Sequence, residues 1–164
     1  MGKVFFAAFS SFPGKYCKRK DGIFMRVGEI MAKNVVCSDV SEPVQKVAEQ
    51  MKLHGIGAVP VCSGGKLAGM LTDRDIALRC VAQGSDAEVL TAGDIMSSKI
   101  ISVSPEHSVV EAARLMARKQ VRRLPVCENG EVVGMLSLGD LARARRLFSE
   151  TDSAFCEICE DKEN

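Results

Sequence analysis

No uninterrupted apolar run in this 164-residue chain is longer than Val4–Phe9. Crossing a bilayer takes about 20 apolar residues and a secretory signal about 7 to 15 behind a basic start, so neither a membrane helix nor an export signal is expected. The sequence holds no G-x-S-x-G elbow, no G-x-x-x-x-G-K-[ST] loop and no H-E-x-x-H pair, and no cysteine sits beside a plausible base, so no enzyme is expected. An even set of cysteines is also missing. The seven present are Cys17, Cys37, Cys62, Cys80, Cys127, Cys156 and Cys159, and three of them lie in apolar strand-like runs. Reduced thiols in a cytoplasmic protein fit that pattern better than a disulfide scaffold.

A large charge of one sign is absent as well, since the formal net charge is +1. That value hides a partition: residues 1–26 sum to +5, residues 149–164 to −5, and the body from 27 to 148 to +1. A near-neutral body lacks the basic face that displaces counterions from nucleic acid, which leaves small ligands and other proteins as the expected partners. With 46% hydrophobic and 26% charged residues, the chain can bury a core, and its length suits one domain or two small fused units.

What is present is an internal repeat. Sliding the sequence by 65 residues matches 28–77 to 93–142 without a gap, with fifteen of fifty positions identical. Gly28-Glu29-Ile30-Met31 answers Gly93-Asp94-Ile95-Met96; Pro60-Val61-Cys62 answers Pro125-Val126-Cys127; Gly69-Met70-Leu71-Thr72 answers Gly134-Met135-Leu136-Ser137. In each copy a short β-branched run comes first, Val35-Val36-Cys37 and Ile100-Ile101-Ser102-Val103, and predicts a strand. Val44, Val47, Ala48 and Met51 fall at i, i+3, i+4 and i+7, as do Val109, Ala112, Ala113 and Met116, so each set predicts the buried face of a helix. Ser108 with Glu111 reads as a capping box, and Pro43 stands at the equivalent helix start. Two further strands follow around Gly64-Gly65 and Asn129-Gly130, which is hairpin chemistry. A closing helix is predicted over Asp73–Val81 and Leu138–Leu147. The order is strand, helix, strand, strand, helix, twice, an α+β fold. A unit this small leaves one sheet face bare, so the two should pack with pseudo-twofold symmetry and leave two equivalent clefts.

With these motifs in both copies, the sequence resembles the cystathionine-β-synthase (CBS) domain, here as a tandem CBS pair or Bateman module. The resemblance divides the chain into a basic N-terminal segment (1–25), a first repeat (26–84), a second repeat (90–147) and an acidic tail (148–164), with Met25-Arg26-Val27-Gly28 near the natural start. It implies a regulatory sensor that requires no cofactor and binds an adenine nucleotide (AMP, ADP or ATP) or S-adenosylmethionine in the clefts. It also implies a homodimer forming a flat disc of four repeats, and an unidentified regulated protein.

At Thr72 the chain leaves a strand and enters a helix, so free N–H groups, the helix dipole and a hydroxyl converge as an anion site. Asp75, three residues on, can accept from both hydroxyls of a ribose diol. By the resemblance, Thr72 and Ser137 touch phosphate and Asp75 and Asp140 touch ribose. In the same way Gly57 and Ala58 in the first copy, and Arg122 and Arg123 in the second, border base and phosphates, while Val36 and Ile101 cover adenine. Grouped by repeat, the second cleft then carries the guanidinium groups and the polyphosphate, and Arg74 lends one charge to the first. The plainer reading of both hydroxyl–carboxylate pairs is helix capping, and that of Arg118, Lys119 and Arg122 is a solvated helix end.

Two other readings stand beside the sensor. One is a ligand-independent interaction adaptor. The other is a thiol-based metal or redox protein, for which Cys156 and Cys159 supply half of a tetrahedral site.

Overall fold

In the computed structural model, residues 25–145 are described, preceded by the backbone of 18–19 and 22–23. The expectations for the rest of the N-terminal segment and for the acidic tail with Cys156 and Cys159 lie outside these residues. Lys18–Arg19 (β1) and Gly22–Ile23 (β2) pair antiparallel.

The first repeat runs Val27–Ile30 (α1), Ser38–Asp39 (β3), Val44–His54 (α2), Ala58–Ser63 (β4), Lys66–Thr72 (β5) and Asp73–Arg79 (α3), closed by a 3-10 turn at Val81–Gln83. The second runs Ala92–Ile95 (α4), Val109–Lys119 (α5), Arg123–Glu128 (β6), Glu131–Ser137 (β7) and Leu138–Arg145 (α6). The periodic helices fall where the spacing puts them: Val44, Val47 and Met51 are buried on α2, and Val109, Ala112, Ala113 and Met116 on α5. Ser108 and Glu111 form the reciprocal capping box of α5, whereas Pro43 caps α2 with no side-chain bond. Both hairpins turn through left-handed residues, Gly64-Gly65 and Asn129-Gly130, where glycine or asparagine avoids a Cβ clash.

The first strand of each repeat is displaced. Val35–Cys37 lies outside any strand, and β3 begins only where Ser38 meets Val61 and Asp39 meets Cys62 in parallel register. In the second copy Ile100, Ile101 and Ser102 are likewise outside any strand, and only Val103 bridges Val126. The difference between copies has a simple cause. The Val40 N–H donates to the Cys62 carbonyl at 3.0 Å, while its counterpart Pro105 has no N–H to give.

The short helices α1 and α4 carry the Gly-Glu-Ile-Met and Gly-Asp-Ile-Met motifs and cross between repeats. The Val27 and Gly28 N–H groups donate to His107 and Pro105, and those of Ala92 and Gly93 to Glu42 and Val40. Just after each helix, Ala32 exchanges both backbone bonds with Met135, and Ser97 exchanges both with Met70. One core therefore joins Met25, Val27, Ile30 and Met31 to α5, β6, β7 and α6, and the other joins Ala92, Ile95 and Met96 to α2, β4 and β5. Each repeat buries the opening of the other, which leaves a cleft along the seam.

Candidate functional site

A cleft of about 490 Å³ lies at this seam, within the range of about 300 to 1,000 Å³ usual for small-molecule sites. From the first repeat it is lined by Ala58, Met70, Thr72, Asp73, Arg74 and Asp75. From the second come Ile100 and Ile101 as half-buried apolar cover, Ser97 and Lys99 from the crossing segment, and Arg122 and Arg123 at the start of β6.

Thr72 and Asp75 lie at the junction of β5 and α3. The Thr72 N–H and Oγ1 donate to Asp75 Oδ2 at 2.9 and 2.6 Å, and the Asp75 N–H donates back to Thr72 Oγ1 at 3.2 Å. Asp75 Oδ1 stands 3.1 Å from an Arg79 guanidinium nitrogen. At the matched place in the second repeat, the Ser137 N–H and Oγ donate to Asp140 Oδ2 at 2.8 and 2.5 Å, and Arg143 pairs with Oδ1. Capping is thus real at both places. It also fixes each hydroxyl and carboxylate in one geometry, with the Asp75 and Asp140 side chains only 15% and 14% exposed.

Grouping by repeat would set Arg122 and Arg123 beside Ser137 and Asp140. The packing of one repeat on the other sets both in the lining of one cleft with Thr72, Arg74, Asp75, Ala58 and Ile101. The remaining expected residues, Gly57, Val36, Ser137 and Asp140, are not in its lining. Gly57 abuts the start of α3, where its carbonyl accepts from the Asp73 N–H. Arg123 is nonetheless the cross-strand partner of Ser137, so its backbone stands next to the second hydroxyl.

The lining carries Arg74, Lys99, Arg122 and Arg123 against Asp73 and Asp75. At the matched positions stand Gly139, Asn34, Gly57 and Ala58, none of them charged. The charge asymmetry legible in the sequence therefore belongs to the Thr72 and Asp75 side. Lys99, Ser97 and Arg79 were not singled out from sequence. The 65-residue comparison of Lys99 with Asn34 held the signal for the first, and nothing local marks the other two.

The thiols form a separate group near the hairpin ends. The Cys37 thiol is pushed up to about 11, first by burial and then by the neighbouring Cys62, with which it hydrogen-bonds. Burial also raises Cys127, although a hydrogen bond with Ser102 opposes the shift. Raised thiols hold little of the reactive thiolate. Among the described residues, no three His, Cys, Asp or Glu side chains come together as a metal site.

The comparisons with known proteins agree with this architecture. The CBS domain family matches twice, over residues 27–81 and 92–147. A CBS domain-containing protein of Bacillus subtilis, YhcV, is 43% identical over 132 residues, covering 80% of this chain and 94% of that one. Hypoxic response protein 1 of Mycobacterium tuberculosis is 38% identical over 116 residues, covering 70% of this chain and 81% of that one. A crystal structure of Hypoxic Response Protein I with two coordinated zinc ions superimposes with a TM-score of 0.68 at 37% identity, covering 73% and 98%. The CBS domain pair of protein MJ0100, in complex with 5′-methylthioadenosine and S-adenosyl-L-methionine, gives a TM-score of 0.67 at 26% identity, covering 77% and 98%. No helix among the described residues is long and apolar enough to cross a membrane. With two matched repeats, each completed by the opening segment of the other, the chain belongs to the CBS domain family as a tandem pair.

Proposed function

We propose that this CBS pair is a regulatory module that binds a phosphorylated adenosyl ligand such as ATP, ADP or AMP in the cleft lined by Thr72, Asp75, Lys99, Arg122 and Arg123. One observation carries the reading: the hydroxyl and carboxylate of one repeat share a cleft with the cations of the other. Arginine pairs with phosphate oxygens bidentately, which a solvated helix end would not need. Ile100 and Ile101 give an apolar wall suited to a base. The Ser137 and Asp140 side, with Val36 and Gly57, has the same hydroxyl–carboxylate pair but no charge at the positions matching Arg74, Lys99, Arg122 and Arg123, and suits an adenosyl ligand with less phosphate, such as AMP or S-adenosylmethionine. The complex of the MJ0100 pair with two adenosyl ligands supports the ligand class. The ligand-bound module acts on a regulated protein in the cytoplasm.

A homodimer belongs to the same reading. Leu53, Leu78 and Val81 of the first repeat and Val89 just after it are exposed large apolar residues, while Arg118 and Arg143 stand at the places matching Leu53 and Leu78. A second copy would cover the apolar face. The thiol-based reading has less support, because the Cys37 and Cys127 thiols are raised and, among the described residues, no three metal-ligating side chains come together.

A melting screen with AMP, ATP, S-adenosylmethionine and zinc tests the reading. A ligand at 100 times its Kd stabilises by about 2.7 kcal/mol. A shift with an adenosyl compound supports the sensor. A shift with zinc alone points to the thiol protein, and no shift at all points to an adaptor; either would overturn it.

A further inference from the structure

Arg79 sits in the last turn of α3, outside the lining of the cleft, yet it joins three things. Its Nη1 donates to the Ile95 carbonyl at 2.6 Å, and its Nη2 donates to Ser97 Oγ at 3.2 Å and lies 3.1 Å from Asp75 Oδ1. Ile95 and Ser97 belong to the crossing segment of the second repeat. Ser97 also lines the cleft and exchanges both backbone bonds with Met70. The other carboxylate oxygen of Asp75 is occupied by Thr72. The whole carboxylate is therefore held, and one of its two holders is anchored in the opposite repeat.

Among the described residues the second repeat has no such tie. Ala144 stands at the place matching Arg79. Asp140 is paired instead by Arg143, whose side chain is 71% exposed and which, among the described residues, bonds to nothing else. The two clefts thus differ in coupling as well as in charge.

We propose that Arg79 is a positioning residue: it aims the Asp75 carboxylate into the cleft and fixes it to the crossing segment, so that occupancy of this cleft is felt at the joint between the repeats. The effect on binding rests on the nucleotide reading above, whereas the tie itself does not. An arginine is needed because its planar fork can serve several acceptors at once, which a lysine ammonium on a flexible stem does less well. Arg79 touches no cleft surface, so it acts through Asp75 on ribose and not on phosphate.

The test pairs two measurements on the full chain. In the ligand-free protein, Arg79→Met should speed amide hydrogen exchange at Ser97 and Met70 by about tenfold, the effect of losing one charge-assisted bond from a local opening. Arg143→Met should leave exchange at the matched Ala32 and Met135 unchanged. In calorimetric titrations, Arg79→Met should weaken ATP and adenosine by the same factor, about tenfold. Arg79→Lys, which keeps the charge and one contact, should fall between wild type and Arg79→Met. Unchanged exchange at Ser97 and Met70 overturns the tie. A larger loss for ATP than for adenosine overturns the positioning role, because Arg79 would then read phosphate itself. If wild type binds neither compound, the nucleotide reading falls, and the exchange rates still decide whether Arg79 fastens the joint.

Discussion

Met96 of the second repeat lies against the α-carbon of Gly69 in the first, so closely that a Cβ built on Gly69 would stand 2.7 Å from Met96 Cγ. The pseudo-symmetric contact is Met31 against Gly134, with Met31 Cγ at 2.9 Å and the Ala32 carbonyl oxygen at 3.1 Å from the same hypothetical atom. The Met of one motif therefore needs the Gly of the other, across the seam. Gly69→Ala should cost about 1 to 3 kcal/mol by overpacking, and so should Gly134→Ala. Adding Met96→Ala to Gly69→Ala should recover part of the loss, whereas Met31→Ala should rescue Gly134→Ala less, because the backbone carbonyl stays in the way. Urea unfolding of the single and double variants measures both. Strictly additive costs at Gly69 and Met96 would sink the account.

The capping carboxylate of α5 gives stability a pH dependence. Glu111 is held below its ordinary value, first by the hydrogen bond from the Ser108 side chain and then by that from its backbone. A depressed folded value contributes stability that is present above the unfolded value of about 4.3 and is lost as pH falls through the folded one. Ser108→Ala should therefore melt below wild type at neutral pH, and the gap should narrow on acidification. A gap that is constant from neutral pH to about pH 3 would mean that the Ser108 bond does not favour the ionised carboxylate.

Cys37 is an exposed residue with a poorly ionised thiol. Alkylation at pH 8 should be slow for its exposure and should rise steeply toward pH 11, since the thiolate is the nucleophile. Burial keeps the thiol raised after Cys62→Ala, but the repulsion and hydrogen bond of the second thiol go, so the profile should move to lower pH. Fast alkylation of wild-type Cys37 at pH 7 would contradict this picture.

Asp75→Ala and Asp140→Ala each remove half of a capping box, at a cost of about 0.5 to 2 kcal/mol. Each should abolish ribose recognition in its own cleft and leave the other intact. Titration of both single variants and of the double variant with AMP and ATP reads this directly. A double variant that binds as wild type does would remove both carboxylates from the site.

Much of this was written in the sequence, because the repeat made each local signal count twice. The α2 and α5 faces, both hairpins and the Ser108 box follow from spacing and turn chemistry, which act within a few residues. The hydroxyl–carboxylate pairs Thr72/Asp75 and Ser137/Asp140 were legible for the same reason. Two things were not. The single-turn helices α1 and α4 are too short to show a helical period, although Thr91 with Asp94 is a capping signature. The crossing of Met25–Ala32 and Leu90–Ser97 into the opposite repeats is a tertiary choice, and either copy could have closed on its own opening as far as local pattern goes. That choice carried Ser97 and Lys99 to the side of Thr72 and Asp75, where the packing of one repeat on the other also sets Arg122 and Arg123, and it is why the charge count was readable while its partner was not.

The most direct measurement is a calorimetric titration of wild type, Arg122→Ala and Arg123→Ala with ATP and with adenosine at two salt concentrations. Wild type should bind ATP more tightly than adenosine. Each substitution should weaken ATP by about ten- to a hundredfold, the loss of a charge-assisted bond to phosphate, with adenosine little changed. Arg74→Ala should act in the same sense, because Arg74 lines the same cleft. The ATP preference should shrink as salt rises, since these partly exposed charges are screened over about 8 to 10 Å at physiological ionic strength. If ATP binds wild type no more tightly than adenosine, or if the arginine variants lose both ligands equally, the cations of the second repeat do not read phosphate in the cleft of the first, and the central claim fails.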